Sequence, residues 1–201
     1  MSRTGDTVQD EVSGLILVGG KSRRMGRDKA FLQVDGVFMF DRLLDLFRQH
    51  FRQIFLVGDR PERFAQYRVP VVPDIYPGTA LGGLYTGLYH APTDYVFVAS
   101  CDLPFPNGDI LNYLVSRRHG FDVVVLSRAQ GYEPLFAVYS KGCLPAMKRQ
   151  MESGDFCAFG YYPQVRTRYV SCEEVAGFDP DDKALINVNT REQFARIGGK
   201  L

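Results

Sequence analysis

At 201 residues, with 45% hydrophobic and 23% charged positions, the chain has the composition of a globular protein with enough apolar surface for a real core, and its length suits one domain. A formal net charge of +1 gives no ground for wholesale binding to nucleic acid or to a membrane surface, and no apolar run approaches the ~18–20 residues of a membrane span. The cysteines (Cys101, Cys143, Cys157, Cys172) form no C-x-x-C pair and the histidines are scattered, which argues against a zinc site or a disulfide framework and for buried reduced thiols.

Taken in chain order, residues 1–13 are polar and acidic with no apolar signal-peptide centre, and are expected to form a flexible leader to a single domain over 14–201 in the cytoplasm. Residues 14–18 read as a strand that runs straight into Gly19-Gly20 and a basic stretch containing Lys21, Arg23, Arg24, Arg27 and Lys29. Phe40, Leu43, Leu44 and Phe47 then recur at helical spacing. Strands are expected at 53–57, 69–72, 95–99, 122–126 and 135–139, mostly as continuous apolar runs of the kind buried on both faces. Helical patterns cover 81–91, 109–118 and 141–152, the last admitting Pro145 only near its first turn. Thr190 is an N-cap, with Gln193 completing a capping box, for a last helix carrying Phe194 and Ile197. This alternation specifies a three-layer α/β domain, a Rossmann-like, mainly parallel sheet flanked by helices.

In such sheets ligands bind beyond the carboxyl ends of the strands, where the Gly19-Gly20 turn falls. It is not a Walker loop, because the position five before Gly20 is Leu15, and adjacent glycines do not make G-x-G-x-x-G. Glycines allow a backbone nest for anions, and Arg24 and Lys29 add full charges, so the stretch is either a polyphosphate cradle or a solvated basic loop. Asp102 ends another buried strand at the same edge. It either caps the turn before Pro104 or holds a hard cation such as Mg²⁺ together with substrate phosphates, and a phosphate loop nearby favours the cation. Asp74, followed by Gly78, Gly82, Gly83 and Gly87, offers either a backbone surface for a base or ribose or a plain glycine-rich connection. Asn187 and Asn189 either face a pocket or serve as turn residues, and Pro134 opens the strand at 135–139.

These motifs carry a resemblance. L-x-G-G-x-S-x-R-M-G-x-D-K-A (Leu17, Gly19, Gly20, Ser22, Arg24, Met25, Gly26, Asp28, Lys29, Ala30) resembles the signature of nucleotidyltransferases with the nucleotide-diphospho-sugar transferase fold. The Asp74 block, Cys101-Asp102-Leu103-Pro104-Phe105, Pro134-Leu135-Phe136-Ala137-Val138-Tyr139 and Asn187-Val188-Asn189-Thr190 are most similar to the molybdenum cofactor guanylyltransferase family. The resemblance implies transfer of GMP from GTP to the terminal phosphate of the molybdopterin cofactor, with pyrophosphate leaving and a guanine dinucleotide cofactor formed. It implies GTP contacts from Leu17, Val18, Gly19, Gly20, Lys29, Asp74 and Asp102, with Mg²⁺ on Asp102. Lys29, Arg24 and Asp102 act on the phosphates, while Pro134, Asn187 and Asn189 face the pterin. Transient partners would be proteins that deliver the cofactor or receive the product.

Three departures stand out. Gly58-Asp59-Arg60 replaces an A-N-R ending, Ala80 replaces a proline, and Val18 replaces a common alanine. A carboxylate at 59 suits the adjacent N1–H and N2–H₂ donors of guanine and repels the acceptor nitrogen of cytosine. A cytidylyltransferase for the same cofactor, a sugar-phosphate nucleotidyltransferase and a nucleotide-binding protein without turnover stay open at this point.

Overall fold

A computed structural model describes residues 10–19, 29–181, 183, 184, 186, 188 and 190–200. Strand β1 (Val12–Leu17) is followed, after a 3₁₀ turn at Lys29–Phe31, by a short hairpin, β2 (Gln33–Val34) and β3 (Val37–Phe38), and by helix α1 (Met39–His50). Next come β4 (Ile54–Val57), a 3₁₀ segment (Pro61–Tyr67), β5 (Val71–Val72), α2 (Ala80–His90), β6 (Tyr95–Ser100) and α3 (Gly108–Ser116). The second half contains β7 (Val123–Arg128), β8 (Gly131–Ser140), α4 (Leu144–Glu152), β9 (Thr167–Ser171), α5 (Cys172–Val175), α6 (Arg191–Arg196) and β10 (Gly199–Lys200).

The main sheet has the order β5-β4-β1-β6-β8-β7-β9. Neighbours pair in parallel except β8, which runs against both β6 and β7. Strand β1 is buried throughout, and its alternate residues feed two cores. Val12 and Ile16 join Phe40, Leu43, Leu44 and Phe47 of α1 and Ile110, Leu111 and Leu114 of α3 on one face. Leu15 and Leu17 join Leu81, Leu84 and Leu88 of α2 and Ala146, Met147 and Met151 of α4 on the other. That is the three-layer arrangement expected from the alternating pattern, and each large apolar side chain so buried contributes about 1.5–3 kcal/mol.

Two glycines set how closely the layers approach. A Cβ on Gly14 would fall 2.6 Å from Phe47 Cδ1, and one on Gly87 would fall 2.0 Å from Leu15 Cδ2. Each helix layer thus settles on β1 through a missing side chain.

Three features differ from the sequence-based expectation. Val12 and Ser13, assigned to the leader, are buried in β1 and pair with Tyr95 and Val96, because the apolar run begins at Val12. The β2–β3 hairpin, β9 and β10 were not anticipated. All four cysteines are free thiols, but only Cys101 and Cys143 are buried, whereas Cys157 and Cys172 are half-buried. The capping box at Thr190 is present, with Gln193 N donating to Thr190 Oγ1 and Thr190 N to Gln193 Oε1. Pro145 lies in the first turn of α4, where its missing N–H costs nothing.

A second, smaller sheet, β10-β2-β3, carries a satellite core of Leu32, Val34, Met39, Val188 and Phe194, against which Phe105 and Ile197 pack. It fastens the end of the chain to the hairpin and to the segment that follows Asp102. Among the described residues, no helix is long and apolar enough to cross a membrane.

Candidate active site

Four residues form one row across the sheet: Val72 pairs with Val57, Val57 with Leu17, and Leu17 with Ser100. Two residues beyond each lie Asp74, Asp59, Gly19 and Asp102, so motifs far apart in sequence emerge side by side at one edge. The chain runs from β1 outward to β4 and β5 and then crosses to β6 on the other side of β1, and a crevice for ligands opens at such a reversal. On the far side, β8 pairs Phe136 with Ala99, which brings Pro134, two residues earlier, alongside Cys101.

The glycine turn is shaped by its neighbours. Val18 N donates to Val57 O at 2.9 Å, and Gly19 lies against Gly58, with 3.6 Å between a Cβ built on Gly19 and Gly58 Cα. A side chain at Gly58 would come within 2.8 Å of Val18 Cγ2, so the two turns nest only because position 58 is bare. Gly19 and Asp59 are exposed at this edge. Gly20, Arg24, the side chain of Lys29, Asn187 and Asn189 lie outside the described residues. The backbone at Lys29 begins a 3₁₀ turn whose Ala30 is buried in the same core as Cys101 and Leu103.

Asp102 is half-buried, and Ser100 donates its hydroxyl to Asp102 Oδ1. The Asp102 carbonyl accepts the Val188 N–H at 3.0 Å, so the backbone of the N-V-N-T block touches the backbone of the acid. A cleft of about 160 Å³ lies here, lined by Ser100, Asp102, Leu103, Glu133, Pro134 and Phe136 among others. Its Pro134 wall is held from below: Tyr139 donates to Pro134 O at 2.7 Å, and Tyr162 meets the same phenol at 2.7 Å. With the Tyr139 proton spent on Pro134, Tyr162 is the donor of the second bond. Burial pushes both phenols up, so they remain protonated hydrogen-bond donors.

Asp74 is fixed rather than loose. Its Oδ1 accepts Tyr76 N at 3.0 Å and the Thr86 hydroxyl at 2.8 Å, while Thr86, buried in α2, accepts Ile75 N. The glycines after Asp74 serve packing: a Cβ on Gly82 would strike Tyr76 O at 2.1 Å, Gly87 admits Leu15, and Gly83 stands over Leu17 and Asp74. Their intramolecular fit accounts for Gly82 and Gly87 without a base or ribose on the backbone.

Sequence reasoning therefore finds Leu17, Val18, Gly19, Asp59, Asp74, Asp102 and Pro134 on one edge. It misses Ser100, Thr86 and Tyr139, which orient the acids and the proline. Ser100 carried a signal, a hydroxyl two residues before the acid; Tyr139 carried none, since its partner comes from a different element. Among the described residues no group of three or more His, Cys, Asp and Glu side chains is placed to hold a metal. One carboxylate beside the Gly19 turn fits a hard cation of the kind that takes its other ligands from phosphate and water.

Comparisons with known proteins agree with this fold and give the family. A family model described as a MobA-like NTP transferase domain matches residues 14–159. A probable molybdenum cofactor guanylyltransferase of Pelotomaculum thermopropionicum is 35% identical over 187 residues, covering 92% of this chain and 91% of that one. The molybdenum cofactor guanylyltransferase of Desulfosudis oleivorans is 32% identical over 190 residues, covering 93% and 94%. In fold, the crystal structure of molybdopterin-guanine dinucleotide biosynthesis protein A from Archaeoglobus fulgidus superposes with a TM-score of 0.82 at 22% identity, over 92% of this chain and 96% of that one. With a glycine turn and an acid in register on one sheet edge and relatives matched over nearly their whole length, the chain belongs to the MobA-like NTP transferase family.

Proposed function

We propose that this chain transfers GMP from GTP to the terminal phosphate of the molybdopterin cofactor, releasing pyrophosphate and forming the guanine dinucleotide cofactor. The observation that carries the reading is the register of Leu17 with Ser100, which sets the glycine turn and Asp102 next to each other at the mouth of the crevice. The nucleophile is already a phosphate anion, so no general base is needed. An acceptor oxygen attacks the α-phosphorus, the bond from that phosphorus to the bridging oxygen breaks, and the electron pair leaves with pyrophosphate. What the protein must supply is alignment and relief of repulsion between two anions.

The bare Gly19 turn admits the triphosphate close to the backbone, and Lys29 and Arg24 place positive charge on the leaving phosphates. Ser100 aims the Asp102 carboxylate, the residue that would hold Mg²⁺. When bound there, the ion neutralises phosphate charge. Asn187 and Asn189, carried by the segment tied to Asp102 through Val188, meet the acceptor with Pro134. The four free thiols suit the reducing cytoplasm.

The test is pyrophosphate release with GTP, Mg²⁺ and molybdopterin, with CTP and UTP as competitors. Turnover with GTP alone among them is expected; GTP binding without turnover sinks the proposal. Lys29→Ala and Asp102→Ala should each lower kcat by about 100-fold or more, the loss of one electrostatic stabiliser of the transition state, while staying folded by circular dichroism. Near-normal turnover of either variant refutes its assignment.

A further inference from the structure

Helix α1 holds the β2–β3 hairpin twice. Its first residue, Met39, donates a backbone N–H to Leu32 O at 2.9 Å, and Arg42, one turn on, donates Nη2 to Val34 O at 3.0 Å. The same guanidinium stands over the ring of Phe105, with Cζ 5.7 Å from the centroid, within the reach of a cation–π attraction. Val34 belongs to the strand that the Lys29–Phe31 turn runs into, and Phe105 belongs to the loop that carries Asp102 away from β6. One side chain thus touches both the segment leaving the phosphate-side turn and the segment leaving the acid. The helix beneath it is firm: α1 buries Phe40, Leu43, Leu44 and Phe47, and it rests on β1 where Phe47 crosses Gly14. The Nε N–H of Arg42, by contrast, is buried and finds no acceptor among the described residues. An aliphatic side chain would fill the same space without that penalty, so packing does not account for a guanidinium here.

We infer that Arg42 is a positioning residue for the transfer: it braces the Lys29 turn against the Asp102 loop and so fixes the spacing between the two groups that act on the triphosphate. This rests on the guanylyl-transfer reading, in which both groups meet the same phosphates. The backbone bond from Met39 keeps the hairpin on α1 whatever stands at position 42, so what Arg42 adds is the link to the acid loop. Nucleotide binding draws on several contacts along the sheet edge and tolerates a small drift between the two segments. In-line attack does not, because a displacement on the order of 1 Å takes the reacting atoms out of alignment. Loss of the brace therefore falls on kcat rather than on the KM for GTP.

The experiment measures kcat and the KM for GTP in the full chain, per folded molecule, with the folded fraction taken from circular dichroism. Arg42→Met keeps an apolar stem and removes the donor and the charge; it should lower kcat by about tenfold or more and leave the KM for GTP within about twofold. Arg42→Lys, which keeps a donor and a cation, should recover part of the loss. In a Lys29→Ala background the same Arg42→Met change should cost less than about twofold, because the group it aligns is already gone. Phe105→Leu removes the ring face at the other end of the brace and keeps the satellite core filled; it should lower kcat by about threefold or more, and it decides the matter if Arg42→Met does not fold. Wild-type turnover with kcat unmoved in folded Arg42→Met or in Phe105→Leu overturns this inference alone, as does an Arg42→Met loss that multiplies in full with that of Lys29→Ala. Absence of turnover in the wild type overturns the guanylyl-transfer reading and this one with it.

Discussion

In the proposed reaction the carboxylate at position 59 reads guanine by charge. Asp59 is exposed two residues beyond Val57, on the edge that also bears Gly19 and Asp102. Its two acceptor oxygens match two adjacent donors on guanine and oppose a lone pair on cytosine. Replacement by asparagine keeps the size and supplies a donor. Asp59→Asn should therefore lower the ratio of kcat/KM for GTP over CTP by about tenfold, the scale of one charged hydrogen bond. An unchanged ratio assigns base reading elsewhere. Asp102 and Asp74 differ from Asp59 in being anchored, one by Ser100 and the other by Thr86, so their carboxylates are oriented before any ligand arrives.

At the scale of elements, the two helix layers grip β1 through Gly14 and Gly87, and both are open to a simple test. An added methyl at either site meets a fully buried side chain, Phe47 or Leu15, at well under contact distance. Gly14→Ala and Gly87→Ala should each lose about 1–3 kcal/mol in urea denaturation from overpacking, the helix propensity of alanine offsetting part of it at Gly87. Stability equal to the wild type would mean that the layers can separate slightly at no cost. These same elements show what a sequence exposes. Strands buried on both faces announce themselves as unbroken apolar runs, and α1 by the spacing of Phe40 through Phe47. The reversed direction of β8 was invisible, because a run such as Leu135–Tyr139 reads alike in either sense. Strand β9 was hidden by partial exposure: only Val170 is buried in it. The β2–β3 hairpin had a readable turn, Asp35-Gly36, whose φ angles of 53° and 78° are the pair a two-residue hairpin loop demands, but its strands are too short for a pattern. Site residues fixed by strand ends were legible; those fixed by a distant partner, such as Tyr139 under Pro134, were not.

Over the whole molecule, acid sensitivity follows from carboxylates that tie separate segments together. Asp122, at the start of β7, accepts Ser140 Oγ at 3.0 Å and the backbone and side-chain N–H groups of Arg166 at 3.0–3.3 Å. The Arg166 side-chain hydrogen bond is the main force holding its carboxyl below the ordinary 3.8, against the opposing effect of burial. Glu174 is lowered too, chiefly by the Ser171 N–H. For a group lowered on folding, the unfolded chain takes up the proton first. Its stabilisation is complete above the unfolded value near 4 and fades as pH falls through the lower folded value. Asp122→Asn should flatten the decline of the thermal midpoint below about pH 4 and lower the midpoint at neutral pH, by less than Gly87→Ala because Arg166 is solvent-screened. A wild-type decline kept intact in Asp122→Asn would place the acid sensitivity in other carboxylates.

The Val188–Asp102 hydrogen bond gives the tail of the chain a stake in the reaction. Through one amide the satellite core of Val188 and Phe194 bears on the Asp102 loop, so a substitution that loosens that core is expected to disturb the acid as well.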